Sequence, residues 1–432
     1  MKKSALLVIL TAVVCLPGQI QAGGYDTPIL YSARHMGMGG AAISYVNDPS
    51  ALFHNPAGLG HTKFITATVD FSPLLGEIVS TPGNIKAKDG LGETYDVTNV
   101  KSETVLAPFF LVAGAFRVTD WMTLGIGAYP VASAGAGYRY PKYSYSEKAN
   151  QTIDDRTKIA FIEVAPGVAF NLPGNLRLGA TYRATILTFE RYQGALGGDK
   201  PSLDMDMKGV SFAGFKVGLQ WQPLPWLQAG LVYRHETKTT VKADTAQAYK
   251  PFSDVSMGFT LPSKLGGGIR GDLPFGLGIS ADLEYGFNSQ NDVSYLKGTD
   301  DTGKINKVPN QFRWNNGITF RGGLEYGLPI PVLGMKLRAG YVYDGKTSNE
   351  KYPSAFGTPP AATQVITAGL GTGFKLGKVG MEVNLAYAYR FGAVEVTEAD
   401  VDAGTESCPF CSSPGDYDLK MHGIYVDTSL YF

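Results

Sequence analysis

Along most of this chain apolar residues recur at every second position, in segments of about ten residues, and no other feature constrains the fold as much. Leu277, Ile279, Ala281, Leu283 and Tyr285 share one face, while Ser280, Asp282 and Glu284 share the other. Val379, Met381, Val383, Leu385, Tyr387 and Tyr389 line up against Glu382 and Asn384. Ile424, Val426, Thr428, Leu430 and Phe432 alternate up to the last residue. Period two is the period of a strand, and strands of sandwiches alternate as well. A length of about ten residues, however, is what a tilted strand needs to cross a bilayer.

The connections carry a second regularity. Thr119-Asp120, Pro173-Gly174-Asn175, Pro223-Leu224-Pro225, Leu273-Pro274-Phe275 and Gly377-Lys378 are very short. Residues 74–104, 289–311, 345–362 and 392–422 are long connections. Short turns on one side and long loops on the other mark an outer-membrane barrel, with the short turns in the periplasm. The expected fold class is all-β, a fourteen-stranded antiparallel transmembrane β-barrel. Its strands are predicted near 62–73, 105–118, 121–132, 156–172, 176–192, 208–222, 226–242, 255–272, 276–288, 312–326, 335–344, 363–376, 379–391 and 423–432.

Composition agrees. Charged residues make up 18% of the chain, below the ~25% of soluble domains, while it holds 54 Gly, 24 Tyr and 22 Phe. With 38 basic and 38 acidic residues the formal charge is zero, so no nucleic-acid partner is expected. After residue 22 no apolar run is long enough for a transmembrane helix. Before it, Lys2 and Lys3 precede an apolar run from Ala5 to Leu16, then Pro17, Gly18 and Ala22. That order reads as a signal peptide over 1–22, so the chain is exported.

Residues 23–61 do not alternate. Asp48-Pro49 and Asn55-Pro56 each put a capping side chain before a proline, which starts a very short helix. So few residues cannot build a core of their own. A barrel lumen offers a surface to pack on, so 23–61 is read as a small N-terminal helical hatch that plugs the barrel formed by 62–432. The stretch GMGGAAISYVNDPSALFHNPAGL, from Gly37 to Leu59, resembles the hatch of the FadL family of outer-membrane transporters of long-chain fatty acids and aromatic hydrocarbons. Asn55, Pro56, Ala57, Gly58 and Leu59 match the family's most distinctive motif. The third long connection, 193–207, is shorter than in fatty-acid members, which carry helices there. The resemblance implies passive uptake of a hydrophobic small molecule through a plugged lumen in the outer membrane of a bacterial cell. It also implies a kink in the third strand, where Gly127 and Pro130 interrupt an otherwise apolar strand. Proline lacks a ladder donor, and a break there would open the wall laterally toward the lipid. The bland reading is a strand that ends near Tyr129.

Other chemistry is sparse. Inward positions carry Glu163, Arg183, Arg234, Lys264, Arg270, Asp282, Glu284, Arg321, Glu325, Arg338, Glu382 and Arg390. They read as a paired network bracing the wall, or as one or two cations, Arg321 or Arg338, that meet a carboxylate head group. Cys408 and Cys411 have C-x-x-C spacing within a loop; in an oxidising compartment a disulfide is expected. No histidine pair has zinc spacing and no nucleophile elbow occurs, so no catalytic residue, metal or cofactor is expected. We expect a monomer in contact with outer-membrane lipid. Two other readings stay open: a related barrel that docks proteins as a secretion accessory, and a surface lipid hydrolase working through His235.

Overall fold

The computed structural model describes residues 31–81, 85–88, 94–97, 105–141, 152–194, 200–329, 334–352, 361–397, 399–400 and 415–432. Fourteen wall strands follow in chain order: β1 (Ile65–Thr81), β2 (Val105–Thr119), β3 (Met122–Pro141), β4 (Thr152–Leu172), β5 (Leu176–Gln193), β6 (Leu203–Leu224), β7 (Leu227–Arg234, then Thr237–Ala248), β8 (Lys250–Leu261, then Lys264–Leu273), β9 (Leu277–Gly286, then Val293–Thr299), β10 (Ile305–Gln311, then Gly317–Gly327), β11 (Lys336–Asp344), β12 (Thr363–Leu376), β13 (Val379–Val396) and β14 (Gly415–Tyr431). Each pairs antiparallel with its sequence neighbour, and β1 pairs with β14, Thr66 opposite Tyr431 and Thr81 opposite Asp416. The sheet closes on itself, which removes the free edges that an open sheet would present to lipid.

Two strands that the alternation joins are interrupted, and the connection expected over 289–311 is instead a strand pair, Val293–Thr299 with Ile305–Gln311, that extends β9 and β10. The second half of β7 starts after His235 and Glu236, and Pro262-Ser263 divides β8. Proline cannot donate to a ladder, which explains the second break. At the first, the Arg183 guanidinium reaches in from β5, and its Nη1 donates to the His235 carbonyl at 3.0 Å. The wall also rises further above the membrane than predicted. β6 begins at Leu203, and there Leu203, Met205 and Met207 face inward while Asp204, Asp206 and Lys208 face water.

Below that level the outward set is apolar. Leu231, Ile269, Leu283, Ile366 and Leu385 are exposed around the circumference. Trp121, Trp226 and Phe432 lie near the short-turn end. At the other rim Phe215 stacks on His235 with ring centres 4.6 Å apart, and Tyr389 lies 5.0 Å from His422. An apolar band between two aromatic girdles is the surface a bilayer requires. Among the described residues no helix is long and apolar enough to span it.

Candidate functional site

Residues 31–62 lie inside the barrel. A single helical turn, α1 (Ala33–Met36), precedes two 3-10 turns, Pro49–Leu52 and Pro56–His61. Proline opens both 3-10 turns. Asp48 Oδ1 accepts from the Ser50 amide at 2.7 Å, and Asn55 Oδ1 accepts from the Ala57 amide at 3.1 Å, each filling an orphan donor of its first turn. Asn55 also ties the hatch to the wall. Its Nδ2 faces the Ile43 carbonyl at 2.7 Å, Leu219 of β6 at 3.1 Å and Leu231 of β7 at 3.2 Å. Asp282 of β9 accepts from the Ala42 and Ile43 amides at 2.7 and 2.9 Å. Asp427 of β14 accepts from Ser32 Oγ and the Arg34 amide at 2.9 and 3.1 Å.

The hatch backbone approaches the wall this closely because the wall carries glycine where they meet. A Cβ on Gly179 would stand 2.3 Å from Ala57 N, one on Gly230 2.2 Å from the Ile43 carbonyl oxygen, and one on Gly340 2.1 Å from Gly39 N. A Cβ on Gly218 would stand 1.9 Å from Asn55 Oδ1. Ala57, Leu59 and Gly58 are buried beneath this belt, and Gly58 leaves no room for a Cβ beside Val46.

The lumen is divided by chemistry. Close to the short turns, Glu325 of β10 receives Arg338 of β11 at 2.8 Å, Arg270 of β8 at 3.0 Å and Arg34 of the hatch at 3.5 Å. Toward the long loops the inward residues are apolar. Ile159, Phe161, Leu187, Phe189, Met205, Met207, Met257, Phe259, Phe312 and Trp314 belong to one buried cluster with Leu52 and Leu59 of the hatch. Phe189 of β5 and Phe259 of β8 meet with ring centres 4.9 Å apart although two strands separate them in the wall. Side chains therefore fill this half. The three methionines can repack around a guest at small cost.

Pro130 falls where the wall pairing fails, whereas Gly127 lies below that point and still pairs with Ala113 of β2 and Ala165 of β4. β3 does not end at Tyr129; it runs on to Pro141 beside β4, with one register shift between Pro130 and Ala132. Its other edge behaves differently. Pairing of β2 with β3 ends at Val112–Ala128, and above that rung Val105–Leu111 pair only with β1. The hatch covers the opening from inside. Tyr31 Oη donates to the Pro130 carbonyl at 2.6 Å, and Tyr129 Oη donates to the Leu52 carbonyl at 3.0 Å. The Phe53 ring lies edge-on to Tyr31 at 4.9 Å and to Tyr129 at 5.5 Å.

The two cations singled out for a head group both face carboxylates. Arg321 lies 3.3 Å from Glu284, and Arg338 is bonded to Glu325 and, at 2.8 Å, to Asn384 Oδ1. A cation absent from that inward set is differently placed. Lys216 of β6 is buried, donates to the Phe53 carbonyl and lies 5.3 Å from the centre of that ring. Among the described residues no carboxylate comes within ion-pair distance of it. His235 has Tyr233 Oη 3.1 Å from its Nδ1 and Phe215 against its ring. Cys408 and Cys411, like residues 1–22, lie outside the described residues.

Buried groups of the hatch titrate unusually. Burial pulls His54 from 6.5 down to about 3 and pulls His35 well below its ordinary value. Burial pushes Asp48 up from 3.8 to about 6. Below pH ~6.5 a released hatch would carry protons on both histidines that the docked one lacks, so acidification weakens docking. Asp48 opposes this between about pH 6 and 4, where the docked form holds the extra proton.

The sequence of residues 13–413 matches the profile of a family described as outer membrane protein transport protein (OMPP1/FadL/TodX). The chain belongs to this family. Its barrel is thus an outer-membrane barrel with the fold of a transporter of hydrophobic small molecules. Among solved structures it is similar to a Pseudomonas aeruginosa FadL homologue, at 15% identity and a TM-score of 0.72 over 95% of this chain and 99% of that one. The Pseudomonas putida toluene transporter TodX aligns at 16% identity and a TM-score of 0.66, covering 95% and 99%. The Ralstonia pickettii toluene transporter TbuX aligns at 16% and 0.64, covering 93% and 98%. At these identities the likeness concerns the FadL fold alone. No curated protein matches the sequence.

Proposed function

We propose that this FadL-family barrel passively takes up small hydrophobic molecules and releases them sideways into the bilayer between β2 and β3. The observation that carries the reading is the unpaired stretch above Val112–Ala128, which borders the apolar half of the lumen and is covered from inside by Tyr31 and Phe53 of the hatch with Tyr129 of β3. A guest adsorbs at the long loops, displaces side chains of the apolar cluster and reaches Phe53 and Tyr129. The way straight down is unfavourable for it. There the Arg34, Arg270, Arg338 and Glu325 network would lose partners and solvation to an apolar solute. A small shift of Tyr31 frees the Pro130 carbonyl and uncovers the gap, while the glycine belt keeps the rest of the hatch in place. The barrel acts as a monomer, without cofactor, and performs no covalent chemistry.

Lys216 separates the two cargo classes. Its position at the floor of the apolar cluster suits the carboxylate of a fatty acid, a role the paired Arg321 and Arg338 fill less well. A hydrogen bond to a charged group is worth about 1.5–3 kcal/mol, tenfold or more in affinity. In liposomes, Lys216→Met should raise the half-saturating concentration of a labelled long-chain fatty acid at least tenfold and leave toluene uptake unchanged. Equal loss for both would contradict a head-group role. Absence of uptake for both by the unmodified chain, with a stoichiometric partner protein co-purifying, would favour the secretion-accessory reading.

A further inference from the structure

The wall pairing is also interrupted at a place the proposed route does not use. β8 and β9 are paired from Lys264–Gly286 to Leu273–Leu277, and above that only at Ser256–Lys297 and Ser253–Thr299, with a register shift between those two rungs. Between the two stretches Met257–Leu261 pair with β7 on one side and with no rung of β9 on the other. Side chains patch the seam. Ser294 Oγ donates to the Gly258 carbonyl at 2.6 Å, and Asn291 Nδ2 donates to the Thr260 carbonyl at 2.8 Å. The patch leaves a cavity of about 260 Å³.

The lining of this cavity comes from both faces of the sheet. Lys238, Thr240 and Gly258 belong to the outward set, while Phe259 and Phe312 belong to the buried apolar cluster of the lumen. A hollow bounded by both sets lies within the thickness of the wall. It sits just beyond the girdle of His235 and Phe287, at the level where the outer leaflet gives way to water. Its charges are already matched: Lys238 Nζ lies 3.1 Å from Glu236, and Asp292 lies 2.9 Å from Arg313. What remains is a rim of hydroxyl and amide groups and, beneath it, Phe259 and Phe312, ring centres 6.2 Å apart and each almost wholly buried, so that only a small part of either ring reaches the cavity. The volume falls just below the ~300–1,000 Å³ of pockets for drug-sized ligands, so the cavity is ring-sized.

We propose that this cavity is a binding site for a small uncharged amphiphile of the phenol class, its ring on Phe259 and Phe312 and its hydroxyl at the Thr240–Ser294 rim, and that it is a side inlet to the lumen. Only the inlet role rests on the transport reading; binding does not. Gly258 makes the test possible, because a Cβ there meets nothing nearer than Ser294 Oγ at 3.7 Å. Gly258→Cys should therefore fold, and the cavity can be filled afterwards by attaching a benzyl thiosulfonate. Trp314 reports occupancy, since its ring centre is 5.5 Å from that of Phe312.

The experiment uses the full-length barrel with Trp314 as the sole tryptophan, Cys408 and Cys411 replaced by serine, and Gly258→Cys. Titration with 4-bromophenol should quench Trp314 saturably. Benzyl labelling should raise the half-saturating concentration at least tenfold, and removing the label with reductant should restore it. Bromobenzene, which lacks the hydroxyl, should need a severalfold higher concentration. Non-saturating quenching, an identical curve after labelling, or an equal response to bromobenzene would overturn the proposal. Saturable, label-sensitive quenching in a barrel that conducts no hydrophobic cargo would leave the binding site standing and remove the transport reading instead.

Discussion

Gly179→Ala should release the hatch while the barrel still assembles. The added methyl carbon would stand 2.3 Å from both Ala57 N and the Pro56 carbonyl carbon, and 2.5 Å from the Pro56 oxygen. These are backbone atoms, with no flexible side chain to swing aside. Overpacking ordinarily costs about 1–3 kcal/mol, and here it acts on an element of about thirty residues held by hydrogen bonds worth about 1 kcal/mol each. The closure of the wall does not depend on the hatch, because every strand has both neighbours without it. Heat-modifiable migration should therefore be retained while planar-bilayer conductance rises from near zero to that of an open pore. Gly340→Ala should do the same, since its Cβ would stand 2.1 Å from Gly39 N. Gly271→Ala, which meets nothing within 4 Å, should be silent. A closed pore in Gly179→Ala, with uptake unchanged, would show that the hatch has slack the glycine belt does not suggest.

Much of this architecture is legible in the chain because the bilayer imposes one rule on every crossing: alternate residues must be apolar. Where that rule stops, legibility falls. Above the membrane β6 still alternates, but Asp204, Asp206 and Lys208 face water and the apolar side is inside, so the pattern reads as a loop. A bulge then hides Lys216. Opposite Arg183–Thr185 the strand carries an extra residue, and Phe212 and Ala213 are both exposed in succession. Lys208 and Lys216 thus share a parity yet point to opposite faces, which strict alternation cannot express. Pro262 does announce the break in β8, and Pro130 the one at β3. The interruption of β7 has no such signal, because it is stabilised by Arg183 from another strand. Asn55 is readable as a cap from its place before proline. Its bonds to Leu219 and Leu231 are tertiary and could not be read. The same holds for Tyr31, whose partner lies ninety-nine residues away in sequence.

Bridging β2 to β3 should stop uptake. Continuing the Val112–Ala128 register places Phe110, which is exposed, opposite Pro130, which is buried. Phe110→Cys with Pro130→Cys, in a chain with Cys408 and Cys411 replaced by serine, can be joined after folding by a short bis-thiosulfonate and parted again by reductant. The strands would then be held together where cargo must pass, with the lumen, the hatch and Lys216 unaltered. The same protein serves as its own control in the two states, so any effect of losing Pro130 is common to both. Uptake of labelled fatty acid or toluene into liposomes is the measurement. Sideways release predicts at least a tenfold fall on bridging and recovery on reduction; transport at the unbridged rate through a fully bridged wall would contradict it.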